Sequence, residues 1–113
     1  MRVVVQRVKK ASCKVFENGE YQMVSTIEHG LMLLVGFTHT DTIENVKKMA
    51  KKIVDLRIFN DEFGKMNLDI KQVKGSILSI SQFTLYGDTK KGNRPSFVES
   101  MRPEFANALY EEF

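Results

Sequence analysis

Residue types that build special sites are scarce in this sequence. Among its 113 residues are two histidines, two prolines, one cysteine and no tryptophan. The single cysteine, Cys13, excludes an intramolecular disulfide, and a lone cysteine is usually a small apolar side chain. Cysteine and histidine show no metal-ligand spacing, so the sequence predicts neither a metal site nor another cofactor.

A long apolar run and a secretory signal are also missing. The apolar stretches are too short to span a bilayer, which predicts a protein of the reducing cytoplasm with no membrane partner. The length suits one domain over residues 1–113, and a hydrophobic fraction of 42% is enough for a packed core. A domain this short buries a small share of its surface, so assembly with a second copy would stabilise it.

The excess of basic residues is small. Lysine and arginine number 17 against 14 aspartates and glutamates, which gives a formal charge of +3. Proteins without an anionic partner often carry such an excess, so the clustering of the cations is more informative than their number.

The first third of the chain is rich in β-branched residues, which predicts strands. Asn18-Gly19 predicts a hairpin turn, because both positions of a tight hairpin turn take positive φ. After it, residues 31–37 form a continuous apolar run, typical of a strand that is buried on both faces. The other predicted strands here are residues 1–8, 11–16 and 21–27.

Two segments have helical periodicity. Residues 41–56 place apolar side chains on one stripe and lysines opposite, and Asp41 with Glu44 three positions later predicts the helix cap. Pro103 suits the first position of a second helix, which runs to Phe113 without a capping residue. The mixture of strands and helices predicts a mixed α+β (α/β) fold.

Residues 75–85 predict another strand, but Ser81 and Gln82 interrupt its alternation. Two consecutive polar residues indicate either an edge strand that leaves the core or a strand end that faces a pocket. A nucleophile at Ser81 or Thr84 would need a general base, and both histidines fall in predicted loops. Since no serine-hydrolase motif is present either, that mechanism is not favoured.

Two basic features allow a functional interpretation. The loop over residues 87–95 gathers Lys90, Lys91 and Arg94, which either contact a phosphate backbone or keep a turn solvated. Arg7 lies inside an apolar strand, so its guanidinium is either paired at a site or interface, or turned outward into solvent.

Together these segments resemble the D-aminoacyl-tRNA deacylase family in order and spacing. Ser-Gln-Phe-Thr-Leu at residues 81–85 is the family's first signature, and the basic Arg-Pro-Ser-Phe segment follows it. The resemblance implies a curled mixed β-sheet that forms a barrel-like body with helices packed outside, assembled as a homodimer. The other matching segments are residues 1–8, 30–36, 56–59, 64–67 and 90–97.

The resemblance also implies an activity: hydrolysis of the ester that joins a D-amino acid, such as D-tyrosine, to the terminal adenosine of tRNA. This is a chiral proofreading step in translation. The catalytic segment would be Ser81, Gln82, Phe83 and Thr84, with Arg7 beside the pocket and the dimer seam. The remaining substrate-binding residues would be Leu85, Lys90, Lys91, Asn93, Arg94, Pro95, Ser96 and Phe97.

The family's second signature, a Gly-Pro dipeptide that excludes L-amino acids from the partner's pocket, is absent. Pro95 follows Arg94 and Pro103 follows Arg102. With the uncapped ending at Phe113, this predicts a chain truncated at its C-terminus that holds half of a two-part site.

Without a side-chain base, the expected mechanism uses backbone N–H groups of Phe83 and Thr84 to stabilise the oxyanion. The 2′-hydroxyl of the tRNA would position or activate water. Two alternatives stay open: a nucleic-acid-binding module without catalysis, and a structural dimerisation domain that does not depend on Ser81 or Gln82.

Overall fold

The computed structural model describes the whole chain, Met1–Phe113. Its strands form a three-stranded sheet of order β1-β4-β7 and the two-stranded sheets β2-β3 and β5-β6. No helix has both the length and the apolar character needed to cross a membrane. The elements are β1 (Arg2–Val8), β2 (Ala11–Glu17), β3 (Glu20–Ile27), β4 (Gly30–Gly36), α1 (Ile43–Asp55), β5 (Phe59–Asn60), β6 (Met66–Leu68), β7 (Ser76–Ser81), a 3-10 turn (Phe83–Tyr86) and α2 (Pro103–Glu112).

Strand β4 is the most buried element. It lies in the middle of the three-stranded sheet, and Leu31, Leu33 and Val35 are each no more than 2% exposed. A central strand covered on both faces favours a continuous apolar sequence, as this segment predicts. The mixed α+β class is confirmed, and closure of the sheet into a barrel stays a prediction.

The chain divides into two compact units. The first unit comprises Met1–Val4, Leu34–Ile53 and Ile80–Phe113, and the second comprises Val5–Leu33 and Val54–Ser79. The assignment of one deacylase domain over residues 1–113 stays a prediction.

In the second unit, β2 and β3 pair as an antiparallel hairpin. Asn18 and Gly19 both have positive φ, 52° and 79°, which confirms the predicted turn. Phe16 and Tyr21 face each other across the ladder with ring centroids 5.0 Å apart. Such cross-strand aromatic pairs stabilise a hairpin by about 0.2–1 kcal/mol.

In the first unit, helix α1 is capped by Thr42, so the predicted cap at Asp41 with Glu44 is wrong. The backbone N–H of Thr42 donates to Asn45 Oδ1 at 2.6 Å, and the N–H of Asn45 donates to Thr42 Oγ1 at 3.4 Å. This reciprocal pair satisfies helix N-terminal donors as a capping box does. Asp41 is one residue too early for this role and has other partners.

The carboxylate of Asp41 is buried and accepts hydrogen bonds from three different residues. It accepts hydrogen bonds from the Met1 α-ammonium group at 2.7 Å, the Thr38 N–H at 2.7 Å and Asn45 Nδ2 at 2.6 Å. Burial alone would raise the pKa of Asp41, but these donors and the ammonium charge outweigh it and hold the pKa below its usual value. The ionised carboxylate therefore ties the start of β1 to the loop before α1.

The sequence pattern places the end of β7 too late. The strand stops at Ser81, and the chain then forms the 3-10 turn instead of continuing extended to Leu85. Strand β7 ends at Ser81 and is also an edge strand of the three-stranded sheet, so both interpretations of Ser81-Gln82 stay predictions. Pro103 occupies the first turn of α2 as predicted, where its missing N–H has no intrahelical acceptor to lose.

Replacing Asp41 with Asn should lower the free energy of unfolding by about 3 kcal/mol at pH 7, because a buried ammonium group loses its counter-charge. The carboxyl pKa of Asp41 is lower in the folded state than in the unfolded state, where it is near 3.8. The ionised carboxylate therefore stabilises the fold fully at pH values above 3.8, and this stabilisation is lost as the pH falls through the pKa of the folded state. Urea unfolding should therefore show a constant gap in unfolding free energy between wild type and variant from about pH 5 to about pH 7, and a shrinking gap below about pH 4.

Asp61→Asn is the control, since Asp61 also has a lowered pKa, through hydrogen bonds from Asn67, Lys65 and Phe63 in a surface loop. It should cost less stability than Asp41→Asn. Equal stability of wild type and Asp41→Asn at pH 7 would contradict the assignment of a buried ion pair.

Candidate active site

The 3-10 turn begins where Gln82 leaves β7. The backbone N–H of Gln82 donates to the Val35 carbonyl at 2.7 Å, and Gln82 itself is extended, with φ −146° and ψ 96°. The turn closes through bonds from Leu85 N–H to the Gln82 carbonyl at 3.4 Å and from Gly87 N–H to the Thr84 carbonyl at 3.0 Å. The hydrogen bond from Gln82 to Val35 thus fixes the position of the residue from which the turn starts.

Gly36 permits this turn to lie close to β4. A Cβ atom at Gly36 would lie 3.0 Å from the Gln82 carbonyl oxygen and 3.2 Å from Leu85 Cβ. Any side chain at this position must push the turn away from the strand. Sequence reasoning placed Gly36 only within a strand, because a close approach between two segments leaves no local pattern.

Two backbone donors of the turn are left without acceptors. The first N–H groups of a helix have no intrahelical partner, and here they belong to Phe83 and Thr84. The side-chain amide of Gln82 donates to the Thr84 hydroxyl, which accepts that hydrogen bond. The N–H groups of Phe83 and Thr84 are main-chain donors that are free to bind a substrate oxygen.

A cavity of about 510 Å³ lies beside the turn. Ser81, Phe83 and Phe97 line it among the predicted site residues, whereas Gln82 and Thr84 do not. The opposite wall comes from Met101, Arg102 and the first turns of α2, and the lining is mainly apolar. Such a cavity has the size and character of a small-molecule pocket.

The segment over residues 97–101, here called the strap, forms the next part of the wall. The Phe97 ring packs edge-on against Phe83, with centroids 5.4 Å apart and planes at 67°. Ser100 donates its hydroxyl to the Phe83 carbonyl at 3.0 Å. Sequence reasoning included Phe97 but missed Ser100, whose role depends on a contact across 17 positions.

The loop between β4 and α1 holds the strap from its other side. The Thr38 hydroxyl donates a hydrogen bond to the Glu99 carbonyl. The Nε2 atom of His39 lies 2.6 Å from the Val98 carbonyl oxygen. His39 is thus occupied in fixing the strap. No histidine or carboxylate lines the cavity beside Ser81, so Ser81 has no general base there.

The basic loop is closed at its base by a bridge between Asp88 and Ser96, with N–H to O distances of 2.8 and 2.7 Å. Its cationic side chains are exposed, and no carboxylate lies within 4.0 Å of them. Unpaired cations on a closed loop are available for an anion. The exposed residues of the loop are Lys90, Lys91, Asn93, Arg94, Pro95 and Ser96.

Leu85 belongs to the same unit as the turn. Its carbonyl accepts a hydrogen bond from Arg2 at 2.8 Å, and its side chain packs beside Gly36. The Arg2 guanidinium also lies 4.4 Å from the ring centroid of buried Tyr86. Burial and the negative charge of Asp41 raise the pKa of Tyr86, although Arg2 opposes them. Arg2 was missed by sequence reasoning.

Arg7 lies in the second unit. Its guanidinium is exposed and donates through one nitrogen to the Ile58 carbonyl at 2.9 Å and to Asn60 Oδ1 at 3.2 Å. The outward orientation is confirmed, and the guanidinium is nevertheless anchored. With His29 and Phe59, Arg7 lines a cavity of about 370 Å³ in that unit.

Comparison with known proteins identifies the family of this chain. The family model described as D-Tyr-tRNA(Tyr) deacylase matches residues 4–113. The chain belongs to this deacylase family. A D-aminoacyl-tRNA deacylase of Bacillus pumilus is 57% identical over 113 residues, all of this chain and 74% of the relative. Another from a Geobacillus species is 59% identical over 111 residues, or 98% of this chain and 70% of the relative.

Solved structures agree with the deacylase fold. The c-Myc DNA Unwinding Element Binding Protein superimposes with a TM-score of 0.86 at 39% identity, over 98% of this chain and 72% of that protein. A probable eukaryotic D-amino acid tRNA deacylase superimposes with a TM-score of 0.81 at 18% identity, over 97% and 62%. The family resemblance predicted from residues 81–85 and 90–97 is confirmed.

Gly36→Ala should displace the 3-10 turn, because the new Cβ meets the Gln82 carbonyl and the Leu85 side chain. We expect a loss of about 1–3 kcal/mol in unfolding free energy and shifted amide NMR signals from Gln82 to Leu85. Gly19→Ala is the matched control: it strains a positive φ, but its Cβ meets nothing within 4 Å. Unshifted turn amides in Gly36→Ala would show that the close approach does not set the turn.

Proposed function

We propose that this chain is a hydrolase that removes D-amino acids, such as D-tyrosine, from mischarged tRNA as a proofreading step in translation. The observation that carries the proposal is the 3-10 turn, where the N–H groups of Phe83 and Thr84 have no partner and Phe83 lines an apolar cavity without a side-chain base. Family membership supports the substrate class. We also propose that the chain acts in the cytoplasm, as one deacylase domain that forms a homodimer.

Hydrolysis of the ester in this site does not require a catalytic side chain. Water adds to the ester carbonyl carbon, and the resulting oxyanion binds the N–H groups of Phe83 and Thr84, a contribution of about 3–4 kcal/mol per donor. The intermediate then expels the ribose 3′-oxygen, which takes the proton that water has lost. The 2′-hydroxyl of the terminal adenosine positions or activates the water, since Ser81 has no base beside it.

The site residues divide into two groups. Ser81, Gln82, Phe83 and Thr84 form the catalytic segment, Phe97 completes the pocket, and Leu85 and Arg7 are further substrate-binding residues. The basic loop binds the phosphate backbone of the acceptor end, because unpaired lysine and arginine side chains attract phosphate. Its residues are Lys90, Lys91, Asn93, Arg94, Pro95 and Ser96.

A nucleic-acid-binding module without catalysis is the second candidate. It is favoured by the likeness to a protein named for binding a DNA unwinding element, at 39% identity, and by the same basic loop. This candidate predicts salt-sensitive binding to DNA and RNA without release of an amino acid.

Deacylation of D-tyrosyl-tRNA distinguishes the two candidates. We expect the purified chain to release D-tyrosine faster than buffer alone, with the Bacillus pumilus relative as positive control and L-tyrosyl-tRNA as the second substrate. Tight, salt-sensitive retention of DNA and tRNA without release of D-tyrosine would instead support the binding module.

Thr84→Val should retain turnover within about tenfold, because the main-chain N–H persists and one hydrogen bond to the hydroxyl is worth about 1 kcal/mol. The measurement is kcat for release of D-tyrosine, with folding checked by circular dichroism. Ser81→Ala is the parallel control for a hydroxyl nucleophile and should also remain active. Complete loss of turnover in a folded Thr84→Val would make the hydroxyl essential and refute the main-chain mechanism.

A further inference from the structure

The side chain of Ser100 contacts the backbone of the proposed catalytic turn. Its hydroxyl donates to the Phe83 carbonyl oxygen at 3.0 Å, from a side chain that is half-buried at the edge of the cavity. Ser100 itself is fixed, because its own N–H donates to the Phe97 carbonyl at 3.0 Å. The backbone hydrogen bond therefore fixes the position of Ser100, and with it the hydroxyl, on the strap.

The Phe83 carbonyl shares a planar peptide unit with the Thr84 N–H. In a trans peptide the C=O and N–H point in opposite directions within one plane, and rotation about the C–N bond is strongly opposed. No cis peptide is present in the chain. A bond that fixes the direction of the Phe83 carbonyl therefore also fixes the direction of the Thr84 N–H.

We propose that Ser100 is a positioning residue, which holds the Phe83–Thr84 peptide plane so that the Thr84 N–H is aimed at the substrate oxyanion. The inference rests on the proposed function. An N–H donor stabilises an oxyanion best when its direction is set before the reaction, since no reorganisation is then needed. Ser100 touches no reacting atom and acts through the peptide unit.

Other hydrogen bonds also hold the strap. They make it possible to distinguish positioning of the Phe83–Thr84 peptide by Ser100 from general support of the strap. Thr38 donates to the Glu99 carbonyl, and Met101 N–H donates to the Phe37 carbonyl at 3.0 Å. These bonds hold the strap on either side of Ser100, and neither involves the Phe83–Thr84 peptide. Thr38→Val is therefore a matched control that removes one hydroxyl bond from the strap and leaves the peptide plane bonded to Ser100.

Steady-state kinetics with D-tyrosyl-tRNA test the proposal. Ser100→Ala should lower kcat about two- to tenfold, as expected for one lost hydrogen bond, with KM unchanged. Ser100→Thr should restore most of the rate, because it returns the hydroxyl. Thr38→Val should keep kcat within twofold of wild type, and an equal loss in both variants would reduce Ser100 to structural support.

Amide NMR gives a readout that does not depend on turnover. In Ser100→Ala the Thr84 amide signal should shift and exchange faster with solvent, whereas in Thr38→Val it should stay in place. An unmoved Thr84 amide in Ser100→Ala, or an unchanged kcat, would overturn the positioning role. Absence of D-tyrosine release from the wild-type chain would instead refute the proposed function, and the amide signals would still test the contact.

Discussion

The contact between the end of β7 and the end of β4 determines the rest of the candidate site. The Gln82 N–H bonds to the Val35 carbonyl at 2.7 Å, and Gly36 leaves room for the Gln82 carbonyl beside the strand. Because the chain turns there, the N–H groups of Phe83 and Thr84 find no acceptor in the sheet. In a strand that continued straight along β4, the Thr84 N–H, two positions after Gln82, would have faced β4 and bonded to it.

The elements around the turn support it without supplying reactive side chains. Ser100 holds the Phe83 carbonyl, Phe97 packs on the Phe83 ring, and the β4–α1 loop fixes the strap. Asp41, which anchors that loop through Thr38, links the site to the buried ammonium group of Met1. An aminoacyl ester is already reactive, so a pre-organised main chain is a sufficient catalyst in this account.

The regular elements could be predicted because each has a local pattern. The apolar run of β4, the Asn18-Gly19 turn and Pro103 at the start of α2 reflect burial or backbone geometry at their own positions. The 3-10 turn was expected to be strand, because Phe83 and Leu85 continue the apolar alternation. The turn lies against β4 at Gly36, and such long-range contacts, like that of Ser100, leave no mark in the neighbouring sequence.

The central claim is that main-chain donors of the turn bind the reacting carbonyl. The most direct measurement is a crystal structure of the chain with a non-hydrolysable amide analogue of D-tyrosyl-adenosine. The account predicts the analogue's carbonyl oxygen within about 2.7–3.1 Å of the Phe83 or Thr84 nitrogen, with its side chain in the cavity beside Phe97. An analogue whose carbonyl is bound by a side-chain donor, or which occupies the cavity lined by Arg7 and His29, would contradict it.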